Sequence, residues 1–140
     1  ETSGIEDQVL SKSVGEVLLA NHLGHTLSPG GKGPDAFDAG GQYEYKCSTS
    51  KRQAPSFVFN FGANRGVEEN LARVDRKLSS IAGVYCALVN WGSIDECLFI
   101  PASSLGPPLY DYVCNRLHGN QFTWTVSASR LSKLPGAVRV

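Results

Sequence analysis

The feature that most constrains the fold is a run of small residues at 39–41, which stands between two stretches of alternating polarity. Residues 35–38 predict one β-strand, and residues 42–49 predict the strand that returns. Glycines are common where a chain must turn tightly, and this run contains a Gly-Gly pair. Together the two stretches and the run predict a β-hairpin.

The hairpin would divide its side chains between two faces, because successive residues of a strand point in opposite directions. Glu44 and Lys46 are expected on one face. Tyr43, Tyr45 and Cys47 are expected on the other face, as part of a core.

Asp35, on the partner strand, is expected to meet Glu44 and Lys46 at one edge of the sheet. Carboxylates are hard oxygen ligands that suit Mg²⁺ or Mn²⁺, and the backbone carbonyl of Tyr45 is expected as a further ligand. A metal held in this way lowers the pKa of a bound water and neutralises charge on a phosphodiester. The ammonium can stabilise negative charge that develops on phosphorus. The hairpin therefore predicts a metal-dependent site for phosphodiester hydrolysis.

Pro34, Asp35, Glu44 and Lys46 together resemble the signature of the PD-(D/E)xK nuclease superfamily. That superfamily includes type II restriction endonucleases, the mismatch-repair nicking endonuclease and archaeal Holliday-junction resolvases. The resemblance implies an α/β fold, a three-layer α/β/α restriction-endonuclease-like core with a central mixed sheet. It also implies Mg²⁺-dependent cleavage of DNA, with Mn²⁺ able to substitute. A homodimer is expected because one site cuts one strand and a duplex break needs two.

Glu16 is the candidate for a further catalytic residue, because in this superfamily a glutamate from the first helix commonly approaches the metal or its water. The choice stays open. Aligning residues 22–24, His-Leu-Gly, with the mismatch-repair enzyme would place that glutamate at Ala20, and Glu6 also competes. Glu16 could equally be a surface acid paired with Lys12, four residues earlier.

Two histidines lie close to the site in the sequence, His22 within the first predicted helix and His25 just after it. Histidine is a common general base, so both are candidates for proton transfer. Their positions on a helix and at its exit favour capping or packing instead.

The charge balance limits how the chain could bind nucleic acid. Lys and Arg number 13 and so do Asp and Glu, which gives a formal net charge of zero. Affinity for phosphate must therefore come from local clusters and metal rather than from a strongly basic surface. A single basic residue is more commonly a solvated surface charge than a contact. The candidates for nucleic-acid contacts are Lys51, Arg52, Arg65, Arg73, Lys77, Arg130 and Lys133.

Length and composition favour one globular domain over residues 1–140, with 41% hydrophobic residues and no room for a separate target-recognition domain. The four cysteines lack zinc-binding spacing, and no apolar segment reads as a signal peptide or membrane span. A cytoplasmic location is therefore expected.

Hydrophobic periodicity beyond the hairpin predicts helices and strands in alternation. The strand at 56–61 is expected beside the strand that carries Glu44, and a helix at 66–81 is expected to bury Val67, Leu71, Val74 and Leu78. The remaining predicted elements are a helix at 5–24, strands at 84–91 and 97–101, a helix at 107–117 that opens at Pro107-Pro108, and a last strand at 121–127.

A second function remains open from the sequence alone. In that alternative the chain is a catalytically inactive nuclease-fold module that binds nucleic acid or protein. Glu44 would then pair with Lys46 on a solvated strand face, and the acids would be structural.

Overall fold

A six-stranded mixed sheet forms the centre of the computed structural model, which describes residues 14–29, 33–49, 54–116 and 118–140. In chain order the elements are α1 (Val14–Leu23), β1 (Thr26–Leu27), β2 (Ala36–Asp38), β3 (Gly41–Thr49), β4 (Ser56–Ala63), α2 (Val67–Ser79), β5 (Gly83–Asn90), β6 (Ser93–Pro101), α3 (Ala102–Asn115), β7 (Gln121–Ser127), α4 (Ala128–Ser132) and β8 (Val138–Arg139).

The strands of the central sheet follow the order β1-β2-β3-β5-β6-β8. β3 and β5 are parallel, and every other neighbouring pair is antiparallel. β4 and β7 form a separate antiparallel ribbon. The predicted α/β class with a central mixed sheet is therefore confirmed, and so is the β2–β3 hairpin.

Two apolar clusters cover the two faces of the central sheet. On one face α1 packs through Leu19 and Ala20 against Tyr43, Tyr45 and neighbouring strand residues. On the other face the β4–β7 ribbon, α2, α3 and α4 enclose a larger cluster. Its largest fully buried side chains include Trp124, Phe59, Phe122, Leu105, Leu109 and Leu131. The hairpin thus presents one face to α1 and the other to the ribbon and α2.

The expectation that the strand at 56–61 lies beside β3 is wrong. The neighbours of β3 are β2 and β5, whereas β4 pairs with β7. Phe57 and Phe59 are buried while Val58 between them is 49% exposed, so β4 lays one face of its ribbon on the core. A local alternating pattern predicts a strand but does not identify its partner. In this chain β5, which runs parallel to β3, occupies the position beside it.

The predicted start of a helix at Pro107-Pro108 is also wrong, because α3 begins at Ala102 and carries both prolines inside it. Proline usually occupies the first helical position, where no backbone N–H is needed. In α3 the buried side chains of Leu105 and Leu109 face the core and outweigh the hydrogen bonds lost at the prolines.

Three further predictions differ from the structure: the start of β6, the identity of the last strand and the burial of Val67. β6 begins at Ser93 rather than at 97, because Trp91 and Gly92 form a two-residue turn with φ of 46° and 85°. β8 follows β7, which is therefore not the last strand. Val67, predicted in the buried stripe of α2, is 49% exposed, whereas Val74 in the same stripe is fully buried.

The first helix is described from Val14, and the earlier part of the predicted helix lies outside the described residues. Its predicted stop is confirmed, since Gly24 adopts a φ of 73° just after the last turn. Within the described ranges no helix is long and apolar enough to cross a membrane.

Candidate metal and phosphate site

Strand β3 presents Glu44 and Lys46 on the same face, as the hairpin pattern predicts. Lys46 Nζ lies 3.4 Å from Glu44 Oε2, and both side chains are largely buried, at 19% and 11% exposure. The ammonium of Lys46 also lies 5.1 Å from the ring centroid of Phe59 on β4. The β4–β7 ribbon therefore stabilises the position of the Lys46 ammonium through a cation–π contact with Phe59.

Asp35 lies at the edge of β3, just before β2 begins. Its backbone N–H donates to the carbonyl of Tyr43 over 2.9 Å. Its carboxylate Oδ2 accepts from the backbone N–H of Tyr45, also over 2.9 Å. β2 pairs with β3 only from Gly41 to Tyr43. The Tyr45 N–H on the same edge of β3 therefore has the side chain of Asp35 as its acceptor in place of a strand carbonyl. This contact places the Asp35 carboxylate at the level of β3 that lies between Glu44 and Lys46.

The backbone carbonyl of Tyr45 shares this edge. The N–H and the C=O of a strand residue point to the same side, so the Tyr45 carbonyl faces the edge where Asp35 binds its N–H. The oxygen groups that strand β3 and its edge offer are the carboxylates of Asp35 and Glu44 and the carbonyl of Tyr45. No group of three or more His, Cys, Asp and Glu side chains is assembled for a metal ion within the described ranges. Oxygen donors of this number and type fit Mg²⁺, which commonly binds through one or two carboxylates and keeps several waters.

Lys77 joins the site in a way that the sequence did not indicate. Its Nζ lies 3.0 Å from Glu44 Oε2, closer than Lys46 Nζ, and its side chain is 30% exposed. Its ammonium is also 5.9 Å from the ring centroid of Phe61. Two lysines from different elements therefore contact one oxygen of Glu44.

A cavity of about 350 Å³ opens beside Glu44, and its lining carries more positive than negative charge. Arg73, Arg76 and Lys77 line it from α2, whereas Glu44 is the one acid among its described lining residues. Their spacing puts the three cations on one side of α2, since residues three and four apart are neighbours on a helix. The remaining lining residues are Gly33, Pro34, Asn60, Phe61, Ser80 and Ile81. A cavity with this charge is suited to an anion such as a phosphodiester.

The cations of the cavity differ in how firmly they are held. Arg73 donates through one guanidinium nitrogen to the backbone carbonyls of Phe61 and Ala63, so it also fastens α2 to the end of β4. Arg76 lies 3.7 Å from Glu69 and is 64% exposed. In the sequence Arg76 belongs to the same basic cluster as Arg65, Arg73 and Lys77, on or just before this helix.

Glu16 lies on the side of the sheet that α1 covers. Its Oε2 atom is buried, and its charge acts on the thiol of Cys47. Desolvation, followed by the negative charges of Glu16 and Asp35, raises the pKa of Cys47 to about 11. Cys47 itself is exposed as a residue, so its predicted place in the core is wrong. The charges of Glu16 and Asp35 thus both act on Cys47, whose side chain points to the face of β3 opposite that of Glu44 and Lys46. A catalytic role for Glu16 stays a prediction.

His25 packs under β3 rather than lining the cavity. Its ring is stacked on Tyr43 with centroids 4.6 Å apart, and its Nδ1 lies 2.6 Å from the hydroxyl of Tyr45. Its Nε2 lies 3.5 Å from Asp38 Oδ2. Burial lowers the pKa of His25, and the charge of Asp38 opposes that shift. The predicted packing role is confirmed for His25, and His22 is exposed on α1.

The other predicted nucleic-acid contacts that the structure describes, Arg65, Arg130 and Lys133, do not line the cavity. Lys51 and Arg52 lie outside the described residues. Arg65 is exposed in the turn before α2, where its backbone N–H donates to Asn70 Oδ1 over 3.3 Å. Arg130 and Lys133 are exposed on α4 and directly after it. Of the predicted set, the structure brings only Arg73 and Lys77 to the cavity among the residues that it describes.

No protein-family model and no curated protein matches this chain.

Proposed function

We propose that this chain is a metal-dependent DNA endonuclease of restriction or DNA-repair type that hydrolyses phosphodiester bonds. The observation that carries the proposal is the position of Asp35 at the edge of β3, level with the Glu44–Lys46 pair, together with the cavity that Glu44 lines with three basic residues of α2. An acid and a lysine on β3, with a second acid at the edge of that strand, suit metal-assisted hydrolysis, and the basic cavity suits the phosphate backbone.

The order of elements supports a restriction-endonuclease-like core. The motif falls after helix α1, on the β2–β3 hairpin, and before helix α2 and further strands, which is the order that the PD-(D/E)xK superfamily uses. Helices also cover both faces of the central mixed sheet. Membership of that superfamily is part of this proposal.

In the proposed mechanism Asp35, Glu44 and the carbonyl of Tyr45 would hold Mg²⁺ or Mn²⁺. Such an ion, when bound, supplies a positive charge and a more acidic water. Lys46 orients the attacking water and stabilises the negative charge that develops on phosphorus, because its ammonium is held in place by Glu44 and Phe59. Arg73 and Arg76 bind the phosphates that flank the reacting one. A homodimer would provide the second site for a duplex break.

A cleavage assay tests this proposal most directly. The full chain would be incubated with supercoiled, linear, single-stranded and four-way-junction DNA, each in Mg²⁺, in Mn²⁺ and in a chelator. We expect cleavage with either metal and none in the chelator. Glu44→Gln and Lys46→Met should each lower the rate at least ~100-fold, since each removes a group from the transition-state contacts.

Two matched controls separate a site effect from a loss of charge. Glu96→Gln and Arg139→Met remove the same charges from an exposed pair, whose atoms lie 3.0 Å apart between β6 and β8. Exposed pairs of this kind contribute little to stability, so both controls should cleave like the parent chain. Cleavage by Glu44→Gln and Lys46→Met at the parental rate would show that the catalytic assignment is wrong.

The alternative of a binding module is favoured by one observation, the contact of two lysines with a single oxygen of Glu44. Such an arrangement can be a structural ion-pair network. Calorimetry with Mn²⁺ distinguishes the two functions. The endonuclease should release or absorb heat that Asp35→Ala abolishes, whereas the binding module should give no heat that depends on Asp35.

A further inference from the structure

We propose that Lys77 is shared between Glu44 and a nucleic-acid phosphate, so that the cavity binds a phosphodiester and a divalent cation cooperatively. In the structure described above, the ammonium of Lys77 is held by Glu44. When a phosphate enters the cavity, the ammonium of Lys77 moves from Glu44 to the phosphate. The carboxylate of Glu44 is then available to bind the metal ion. This inference rests on the proposed function and assigns to Lys77 a positioning role that links the two ligands.

Lys77, Lys46 and a divalent cation would compete for the carboxylate of Glu44. Both Lys77 Nζ and Lys46 Nζ contact the same atom, Glu44 Oε2, at 3.0 and 3.4 Å. A divalent cation that uses Glu44 meets this positive charge at short range in a largely buried place, where repulsion is screened less than in water. Loss of one ammonium from Glu44 must therefore raise the affinity for the cation.

Of the two lysines, Lys77 is the one suited to leave Glu44. Lys46 is fixed on β3 and is the less exposed of the two, at 19% against 30%. Its ammonium also lies closer to an aromatic ring, 5.1 Å from Phe59, than that of Lys77, which is 5.9 Å from Phe61. Lys77 lines the cavity from α2, whereas Lys46 does not. Its long flexible stem lets the ammonium move within the cavity.

The cavity offers a phosphate to Lys77. Arg73, one turn before Lys77 on α2, and Arg76, the residue next to Lys77, also line the cavity, and Asn60 adds an amide. A phosphate drawn in by these groups is a stronger partner for the Lys77 ammonium than a carboxylate already shared with Lys46. By thermodynamic reciprocity, a phosphate that frees Glu44 strengthens cation binding, and a cation at Glu44 strengthens phosphate binding by the same factor.

The test compares Lys77→Met with Arg76→Met, which removes an equal charge from the same cavity without touching Glu44. Mn²⁺ affinity would be measured by calorimetry on the full chain without DNA. Duplex DNA affinity would be measured in a chelator and in Ca²⁺, which takes the same oxygen ligands. We expect Lys77→Met to bind Mn²⁺ about 5-fold more tightly and to lose most of the gain in DNA affinity that Ca²⁺ confers on the parent chain. Arg76→Met should bind DNA more weakly yet keep the parental Mn²⁺ affinity.

A charge-preserving variant and a folding control complete the experiment. Lys77→Arg should keep Mn²⁺ affinity near the parental value, and urea unfolding should show that all variants are folded at the assay temperature. Parental Mn²⁺ affinity in Lys77→Met, in a chain that binds Mn²⁺ and cleaves DNA, would overturn this inference alone. A parent chain that neither binds Mn²⁺ nor cleaves DNA would overturn the proposed function and this inference with it.

Discussion

The carboxylate of Asp35 accepts a hydrogen bond of 2.9 Å from the backbone N–H of Tyr45, the residue that separates Glu44 from Lys46 on β3. Tyr45 is held on its other side as well, because its hydroxyl lies 2.6 Å from Nδ1 of His25. One residue of β3 is thus fixed from the sheet edge and from the face under α1. Its neighbours Glu44 and Lys46 point to the opposite face of β3, where Glu44 lines the cavity and Lys46 contacts Phe59 of the ribbon.

Substitution of Asp35 should separate its structural role from its role in metal binding. Asp35→Asn keeps an acceptor oxygen for the Tyr45 N–H, whereas Asp35→Ala removes it. We expect urea unfolding to show a loss of about 1 kcal/mol for Asp35→Ala, from the lost hydrogen bond, and about half of that or less for Asp35→Asn. Mn²⁺ calorimetry should show no binding for either variant, because both lack the negative charge. Equal Mn²⁺ affinity in Asp35→Asn and the parent chain would contradict a ligand role.

The stability of the chain should fall as the pH is lowered below about 7, through His25. Burial lowers the pKa of His25 from its ordinary value of 6.5. The unfolded chain therefore binds a proton more readily than the folded chain between these two pKa values, and stability rises with pH there. Acidification from pH 7 through 6.5 toward the lowered pKa protonates His25 at a cost to folding. Urea midpoints at pH 8, 6.5 and 5 measure the effect.

Two variants identify the residue responsible. His25→Phe keeps a ring to stack on Tyr43 and cannot titrate, so the loss of stability between pH 7 and 5 should shrink. His22→Gln, at an exposed position of α1, should leave the pH dependence in place. The pKa of Asp38 is lowered by hydrogen bonds from Tyr43 and the backbone, so its contribution is lost only below its ordinary value of 3.8 and does not interfere.

Gly83→Ala should be strongly destabilising. A Cβ at Gly83, the first residue of β5, would lie 2.5 Å from ring atoms of Phe99 and 2.6 Å from the backbone oxygen of Ile100. The strand pairing holds that oxygen in place, so the substitution should cost about 2 kcal/mol or more of unfolding free energy. Gly119→Ala provides the control, because a Cβ there meets no atom within 4 Å. Thermal unfolding that gave equal midpoints for both variants would contradict the packing described for β5 and β6.

Phe59→Leu should weaken both the core and the support of Lys46. Phe59 is 2% exposed and lies 5.2 Å from Trp124 between ring centroids, so its loss should cost about 1–2 kcal/mol of unfolding free energy. The variant also lacks the ring under the Lys46 ammonium, and cleavage should fall more than stability alone explains. Val58→Ala on the same strand is the control, since Val58 is 49% exposed and should change little. Parental cleavage by folded Phe59→Leu would show that the cation–π contact does not position Lys46.

The hairpin could be predicted because its information is local. The glycine-rich turn and the alternation on either side place Glu44 and Lys46 on one face, and the structure confirms this through their ion pair. The packing of His25 was predictable for the same reason, because it directly follows the first helix in the sequence. A side chain at the end of a helix commonly packs against the structure that follows. The partner of β4 was not predictable, because an alternating pattern is compatible with any neighbouring strand. In the structure β5 lies beside β3, and β4 pairs with β7 instead.

The amino-acid sequence by itself determined the hairpin, its two faces and the chemical types that β3 displays, because strand periodicity and turn chemistry act over a few residues. Only the tertiary structure decided that Lys77, 33 positions after Glu44 in the chain, lies 3.0 Å from its carboxylate. That contact depends on how α2 packs against the ribbon and the parallel β3–β5 pair. Such packing is set by burial of apolar surface across the whole core, which no short stretch of sequence contains.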